Sequence, residues 1–310
     1  MESKLYDIVI LGSGPAGLTA ALYASRSERK TLIVAGIKYG GQLMLTTEVE
    51  NYPGFPQGIL GPELMEKMIE QAKRFGTEII NDDATSVNFE KNPFEVSVSE
   101  KIYRGRSVII ATGAVPKLLS VPGEEKLMGR GVSTCAPCDA PLFKNKVGLV
   151  VGGGDSAMEE ALYLSKFAEK VTVVHRRDKL KASKIMQQRA FANKKISFIW
   201  DSIVEEILGD QKVTGVKINN LKTEKEEKIS CDAVFIAIGH LPNTEILKGH
   251  IELDKKGYVV VKNHTQTNVL GVFVAGDVHD HVYRQVATAV GFGCMAAMDA
   301  EKYLEEGDNG

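Results

Sequence analysis

Apolar residues in this chain never accumulate into a run of the roughly 18 needed to cross a bilayer as a helix. Nor does either charge dominate: 38 Lys and Arg stand against 40 Asp and Glu, a net charge of -2. With a pI near 6.3, the chain has no general attraction for nucleic acid or for an anionic membrane surface. Cysteine is scarce as well, at four in 310 residues, which excludes a disulfide scaffold. Cys231 and Cys294 stand singly in apolar surroundings and read as buried small hydrophobes. The first residues show no basic n-region, apolar h-region or cleavage site, so a cytoplasmic location is expected.

What is present is the composition of soluble globular domains, 44% hydrophobic and 25% charged, over a length sufficient for roughly two of them. Asp7 to Leu11 is a β-branched run, followed by Gly12-Ser13-Gly14-Pro15-Ala16-Gly17 and a segment of helical composition from Leu18 to Ala24. Strand, glycine turn and helix in that order make a pyrophosphate site. The glycines permit a tight turn and close backbone approach, and the helix start offers unpaired N–H groups to the anion. A second such unit follows: Val147 to Val151, the turn Gly152 to Ala157, a helix from Met158 to Phe167 and a strand from Val171 to Val174. The turn glycines Gly12 and Gly152 lie 152 − 12 = 140 residues apart, a duplication of domain type and not a short repeat.

The two units lack, in different ways, the acid that a generic dinucleotide fold offers to a ribose. The first reaches Ala35-Gly36 at that point, so other groups must grip its nucleotide. The second reaches His175-Arg176-Arg177, with Lys179 and Lys181 behind. Arginine forks match a phosphate in bidentate geometry where a carboxylate would repel it, which predicts NADPH over NADH. Between the units run a glycine-rich loop (Gly40-Gly41-Gln42-Leu43, then Thr46 to Gly54), a helix over 61–75, a strand meander over 84–104, and the buried strand Ser107 to Gly113. After the second unit come strands over 196–208, 213–229 and 231–239, then 257–261 and 271–277, and a long helix over 286–304. Pro116 to Gly123 and His240 to Asn243 read as linkers.

Cys135-Ala136-Pro137-Cys138-Asp139 lies just past the first linker. On spacing alone two cysteines separated by two residues are either half of a zinc site or a redox pair. A closed zinc site needs four ligands, and no second Cys/His pair is spaced to supply them; His279 and His281 are the nearest candidates. No metal is expected.

Taken together, Gly12 to Gly17, Gly40 to Leu43, Thr46 to Gly54, Ala111 to Gly113, Cys135 to Asp139, Gly152 to Ala157, His175 to Arg177, Gly276-Asp277 and Arg284-Gln285 resemble the low-molecular-weight thioredoxin reductases of bacteria and archaea over essentially the whole chain. The resemblance implies an α/β fold of two Rossmann-like, three-layer ββα nucleotide-binding domains. The FAD domain, residues 1–117 and 245–310, would be discontinuous, with the NADPH domain, 118–244, inserted. FAD would be held by Gly12 to Gly17 (with Ser13, Gly14, Pro15 and Ala16), Gly40, Gly41, Gln42, Leu43, Thr46, Asn51, Ala111, Thr112, Gly113, Gly276, Asp277, Arg284, Gln285 and Val286. Asp277 would meet the ribityl chain and Gln285 the isoalloxazine ring. NADPH would be held by Gly152, Gly154, Asp155, Ser156, Ala157, His175, Arg176, Arg177, Lys181, Ile238 and Gly239.

The resemblance further implies a homodimer in which Cys138 is the thiol nearer the flavin. The catalytic residues would be Cys135, Cys138 and Asp139. The electron acceptor would be the disulfide of a thioredoxin or of another thioredoxin-like, glutaredoxin-like or peroxiredoxin protein. Access of both nicotinamide and protein disulfide to one flavin suggests rotation of the inserted domain on its linkers. Two departures from the family pattern stand out. Pro137 and Ala140 replace the usual Thr and Gly, and a proline removes a donor N–H, which would alter thiol pKa and disulfide potential. Lys181 replaces a third arginine, a point charge in place of a fork.

Overall fold

The computed structural model describes residues 4–46 and 48–308; Thr47, within the loop singled out above, lies outside the described residues. Two compact units divide the chain, one of Met1–Val115 with Leu241–Gly310 and one of Pro116–His240.

The first unit is built on a seven-stranded sheet. Leu5–Leu11 pairs in parallel with Thr31–Val34 on one side and with the long strand Lys101–Ile110 on the other. Glu78–Ile80 and Val272–Val274 extend the parallel part. The register aligns Leu11 with both Val34 and Ile110, and Ile110 with Val274. Four strands therefore end at one edge, where Gly12, Ala35-Gly36, Ala111 to Gly113 and Gly276-Asp277 all emerge. The first half of Lys101–Ile110 turns to antiparallel pairing with Phe94–Val98, which in turn pairs with Ala84–Asn88, giving the expected meander.

Ile8 to Leu11 are all apolar and buried because both faces of the strand are covered there. Ile8 and Ile10 pack with the helices Pro15–Arg26 and Val286–Asp308, while Val9 and Leu11 pack with the opposite layer. Small residues let those helices approach closely: a Cβ at Gly293 would lie 2.2 Å from the Ala16 carbonyl oxygen. The strand expected over 257–261 does not form; the segment makes only an isolated bridge between Leu253 and Val259.

In the second unit all five strands of the main sheet run parallel, in the order Val132–Ser133, Ala233–Ile236, Val147–Val151, Lys170–Val174, Ile196–Ile199. One face carries the helices Asp155–Leu164 and Lys184–Ala192 together with the short helix Ala136–Asp139. The other carries an antiparallel sheet of Ser202–Gly209, Val213–Asn220 and Glu226–Ser230. That is the three-layer ββα arrangement. Lys184–Ala192 has no counterpart in the sequence reading, because its apolar residues are scattered around the helix and only Ala190 is buried.

Candidate active site

Both glycine turns are shaped by collisions that any side chain would cause. Gly12 has φ +106°, and a Cβ there would stand 2.3 Å from the Ala111 carbonyl oxygen. At Gly17 it would stand 2.0 Å from the Gly12 oxygen. In the second unit Gly152 repeats the pattern, with φ +150° and the Ala237 oxygen at 2.4 Å. Gly14 and Gly154, by contrast, face open space. Each is the residue before a helix whose first turn has no side-chain cap, so N–H groups remain for a ligand's phosphates. Ser13 ties the first turn to its surroundings, donating to the Ala35 oxygen at 2.9 Å and accepting from the Gly40 N–H at 2.9 Å. Gln42 and Leu43 lie in a 3-10 turn over Gly41–Leu45 that ends at Thr46.

Asp277 projects from the aligned strand ends with Oδ1 buried and without a hydrogen-bond partner. Burial, reinforced by the nearby Asp280 charge and opposed by Arg284, pushes its carboxyl up to about 7. A buried, unsatisfied acceptor of this kind fits a ligand hydroxyl. Nearby, Asn51 donates to Gln285 Oε1 at 3.2 Å, and Gln285 precedes the helix that begins at Val286. Thr112 and Asn243 exchange hydrogen bonds, at 2.7 and 2.8 Å, fixing the Ala111 to Gly113 turn. Asn243 read as linker in the sequence, where nothing marks it as Thr112's partner. A cavity of about 300 Å³ opens beside Ser13 and Ala35, bounded by Tyr39, Glu66, Ile69, Glu70, Lys73, Ile79 and Asn81. It lies where the first unit lacks its acid.

In the second unit Arg176, Arg177 and Lys181 are exposed around the end of Lys170–Val174. Their loop folds onto the glycine turn, since the Lys181 and Ala182 N–H groups both donate to the Gly153 oxygen, at 2.7 and 3.1 Å. His175 is not exposed with them: its ring packs on Gly153 and is 7% accessible. Burial lowers its pKa, with the neighbouring cations Arg176, Arg177 and Lys181 adding to the fall and a backbone hydrogen bond at Lys179 working against it. Asp155 Oδ1 accepts from the Ser183 N–H at 2.8 Å, which holds the following helix in place. Ala157 is buried against Gly152, whereas Ile238 is partly exposed beside Gly239.

Cys135 and Cys138 form a disulfide with a Cα separation of 5.3 Å. Cys138 is exposed and Cys135 half-buried. Ser133 links the motif, accepting from the Cys135 N–H at 3.1 Å and donating to Asp139 Oδ2 at 2.6 Å. Burial raises the Asp139 pKa, and the Ser133 hydrogen bond works against that rise. A carboxyl held back from ionising beside a disulfide is suited to exchanging protons with thiols. Of the remaining cysteines, Cys231 is buried as expected, its thiol pushed up to about 12. Cys294 is only partly buried, against the expectation, because the helix Val286–Asp308 turns it toward Tyr23 and Met298 at the surface.

A nucleotide turn in each unit and a disulfide in the second define a class of redox enzyme. The chain belongs to the pyridine nucleotide-disulphide oxidoreductases, whose family model matches residues 6–293. Relatives about half identical to it are thioredoxin reductases. That of Mycolicibacterium smegmatis is 52% identical over 308 residues, covering 99% of each chain. That of Rickettsia conorii is 52% identical over 304 residues, covering 96% of this chain and 98% of its own. Among solved structures, the thioredoxin reductase from Streptococcus pyogenes matches with a TM-score of 0.94 at 46% identity, covering 98% of this chain and all of the other.

Proposed function

We propose that this chain is an NADPH-dependent flavoprotein that reduces the disulfide of thioredoxin through Cys135 and Cys138. The observation that carries the reading is the Cys135–Cys138 disulfide, exposed at Cys138, with the half-buried acid Asp139 beside it. Bound FAD would supply the chemistry that links hydride from NADPH to electron-pair delivery at the disulfide. This chain's residues do the rest. Gly12 to Gly17 and the helix start at Pro15 would bind the pyrophosphate of FAD, Asp277 would accept from its ribityl chain, and Asn51 and Gln285 would hold the ring. The cavity between Ala35 and Lys73 takes its adenosine half, in place of the missing acid. Gly152 to Ala157 bind the pyrophosphate of NADPH, and Arg176, Arg177 and Lys181 its 2′-phosphate. Once reduced, the dithiol attacks the partner disulfide as a thiolate, forming a mixed disulfide that the second thiol resolves. Asp139 holds and returns the proton.

NADPH oxidation that depends on oxidised thioredoxin tests the reading, and oxidation indifferent to thioredoxin would refute it. For the cofactor choice, Arg176→Ala should raise KM for NADPH about tenfold, the effect of one charge-assisted contact at an exposed site. KM for NADH should hold steady; an equal rise for both cofactors would remove the 2′-phosphate from the account.

Asp277 gives a second test that needs no turnover. Its folded pKa is raised above the unfolded value near 4, so its contribution to stability is present below pH 4 and lost as pH rises through about 7. The loss is on the order of 4 kcal/mol in FAD-free protein. Denaturation midpoints of that form should fall between about pH 4 and pH 7 and level off above. Bound FAD or Asp277→Asn should flatten the fall, and parallel slopes in all three samples would contradict the assignment.

Two copies of the chain associate through an apolar patch in which Tyr23, Met295 and Met298, each at least 38% exposed, meet Cys294 on the helices Pro15–Arg26 and Val286–Asp308. No helix among the described residues is long and apolar enough to cross a membrane, and a cytoplasmic location follows from the need for NADPH.

A further inference from the structure

Three parallel strands of the second unit open on lysine. Lys146 stands before Val147–Val151, Lys170 begins Lys170–Val174, and Lys194 and Lys195 stand before Ile196–Ile199. Because the strands run parallel, with Val147 level with Lys170 and Val171 with Ile196, their starts meet at one edge of the sheet. Neighbouring strands lie about 4.8 Å apart, so the lysines form a continuous row. Backbone hydrogen bonds hold the three approaches together, the Glu169 N–H donating to the Lys146 oxygen and the Val171 N–H to the Lys195 oxygen, each at 2.9 Å. Lys144, after the turn Ala140–Phe143, and Lys166, after the helix Asp155–Leu164, extend the row.

All of these lysines are exposed. Lys146 Nζ lies 5.6 Å from the Phe143 ring centroid, Lys166 Nζ lies 4.8 Å from that of Tyr163, and Lys195 Nζ donates to the Ala168 oxygen at 2.8 Å. Among the described residues none of them forms an ion pair, whereas Lys126, Lys217 and Lys222 of the same unit do. The acids at this edge are Glu169 and Asp232, and the Asp232 carboxylate accepts from the Val147 N–H at 2.9 Å. In a chain of net charge -2 the edge is a local excess of positive charge.

The cations assigned to NADPH do not account for it. Arg176, Arg177 and Lys181 follow the far end of Lys170–Val174, and at about 3.3 Å per residue roughly 13 Å of strand lies between. Cys138 adjoins the row: its helix Ala136–Asp139 runs directly into Ala140–Phe143, and Lys144 comes next. Pro141 and Leu142, both exposed, connect the surface at Cys138 to the lysines. The Asn145 N–H ties the same segment to the Phe167 oxygen at 3.0 Å, beside Lys166.

We propose that this lysine row steers an acidic protein disulfide to Cys138, so that negative charge on the partner's surface selects it among disulfide proteins. The proposal rests on the reading of a thioredoxin disulfide as the substrate. Complementary charge around a contact raises the rate of encounter by roughly 10- to 1000-fold without altering the chemistry that follows, and salt screens it. Polyanions would be drawn to the same charge, but only a protein disulfide has a reaction at Cys138.

The test follows thioredoxin-dependent NADPH oxidation by the FAD-loaded enzyme at several salt concentrations. One substrate is a thioredoxin of net negative charge; the other is a variant of it whose surface Asp and Glu are changed to Asn and Gln. Lys144→Glu, Lys170→Glu and Lys194→Glu are combined, since these side chains have no partner among the described residues. At about 20 mM ionic strength, where the Debye length is about 20 Å, the triple variant should lose at least about fivefold in kcat/KM for the acidic thioredoxin. The loss should shrink below about twofold at about 0.5 M and be absent with the neutralised thioredoxin. Saturated kcat and KM for NADPH should hold. A smaller loss at low salt, an equal loss with both thioredoxins, or a rise in KM for NADPH overturns the proposal. So does binding to phosphatidylglycerol vesicles or duplex DNA that the variant loses while its thioredoxin kinetics stay unchanged. Should the triple variant fail to fold, Lys144→Gln, Lys170→Gln and Lys194→Gln decide, with a loss of about twofold or more expected and no loss contradicting it. Failure of the unmodified enzyme to reduce thioredoxin removes the underlying reading as well; reduction indifferent to charge removes this proposal alone.

Discussion

Cys138→Ser abolishes thioredoxin-dependent NADPH oxidation, by more than about 10³-fold, while NADPH continues to bleach the flavin absorbance. Serine cannot form the Sγ–Sγ bond, so the dithiol chemistry stops at the one residue that carries it. Loss of folding would not explain such a result, for the disulfide closes a four-residue loop, and loop-entropy arguments give so small a ring only about 2 kcal/mol. The nucleotide turns at Gly12 and Gly152 rest on backbone contacts with Ala111 and Ala237 and do not involve the cysteines. The two activities should therefore separate cleanly: absorbance bleaching by NADPH intact, disulfide reduction gone. Retained reduction of thioredoxin by the serine variant would remove Cys138 from the pathway.

Asp139→Asn lowers kcat with thioredoxin by about 10²-fold or more, the range for loss of a positioned general acid or base. It also removes a limb from the pH profile. Burial raises the Asp139 pKa, so the protonated acid persists to higher pH than an ordinary aspartate, and activity that needs its proton declines as pH rises through the raised value. Ser133→Ala sharpens the assignment. The Ser133 hydroxyl donates to Oδ2 and lowers the pKa, and without it the limb should move to higher pH while Asp139 stays in place. Profiles of kcat against pH for both variants check this; an unmoved limb in Ser133→Ala would show that another group titrates.

Legibility in the sequence followed how local each feature is. Gly17 is imposed by a collision within its own strand-turn-helix, and although Gly12 and Gly152 meet the distant Ala111 and Ala237, all three are announced by the local spacing of glycines after a β-branched run. The missing acid at Gly36 and the arginines after Val174 were equally readable, since both stand at a strand end whose position the pattern sets. Partners supplied by distant chain were not. Ser133 and Glu160 look like ordinary polar residues until folding brings one to Asp139 and the other to the Ala136 N–H. Asn243 was read as linker, and its exchange with Thr112 spans 131 residues.

Segments whose structure comes from tertiary packing were lost in the same way. Lys184–Ala192 is helical with almost no apolar face of its own. The alternating residues over 257–261 find only a single bridge.

The most direct test of the account is the stoichiometry of NADPH oxidised to thioredoxin disulfide reduced, measured anaerobically with the FAD-loaded enzyme and with NADH as control. One NADPH consumed per disulfide, with NADH far slower, is the predicted result. NADPH consumption that continues unchanged without thioredoxin, or with Cys135 and Cys138 both alkylated, would contradict it.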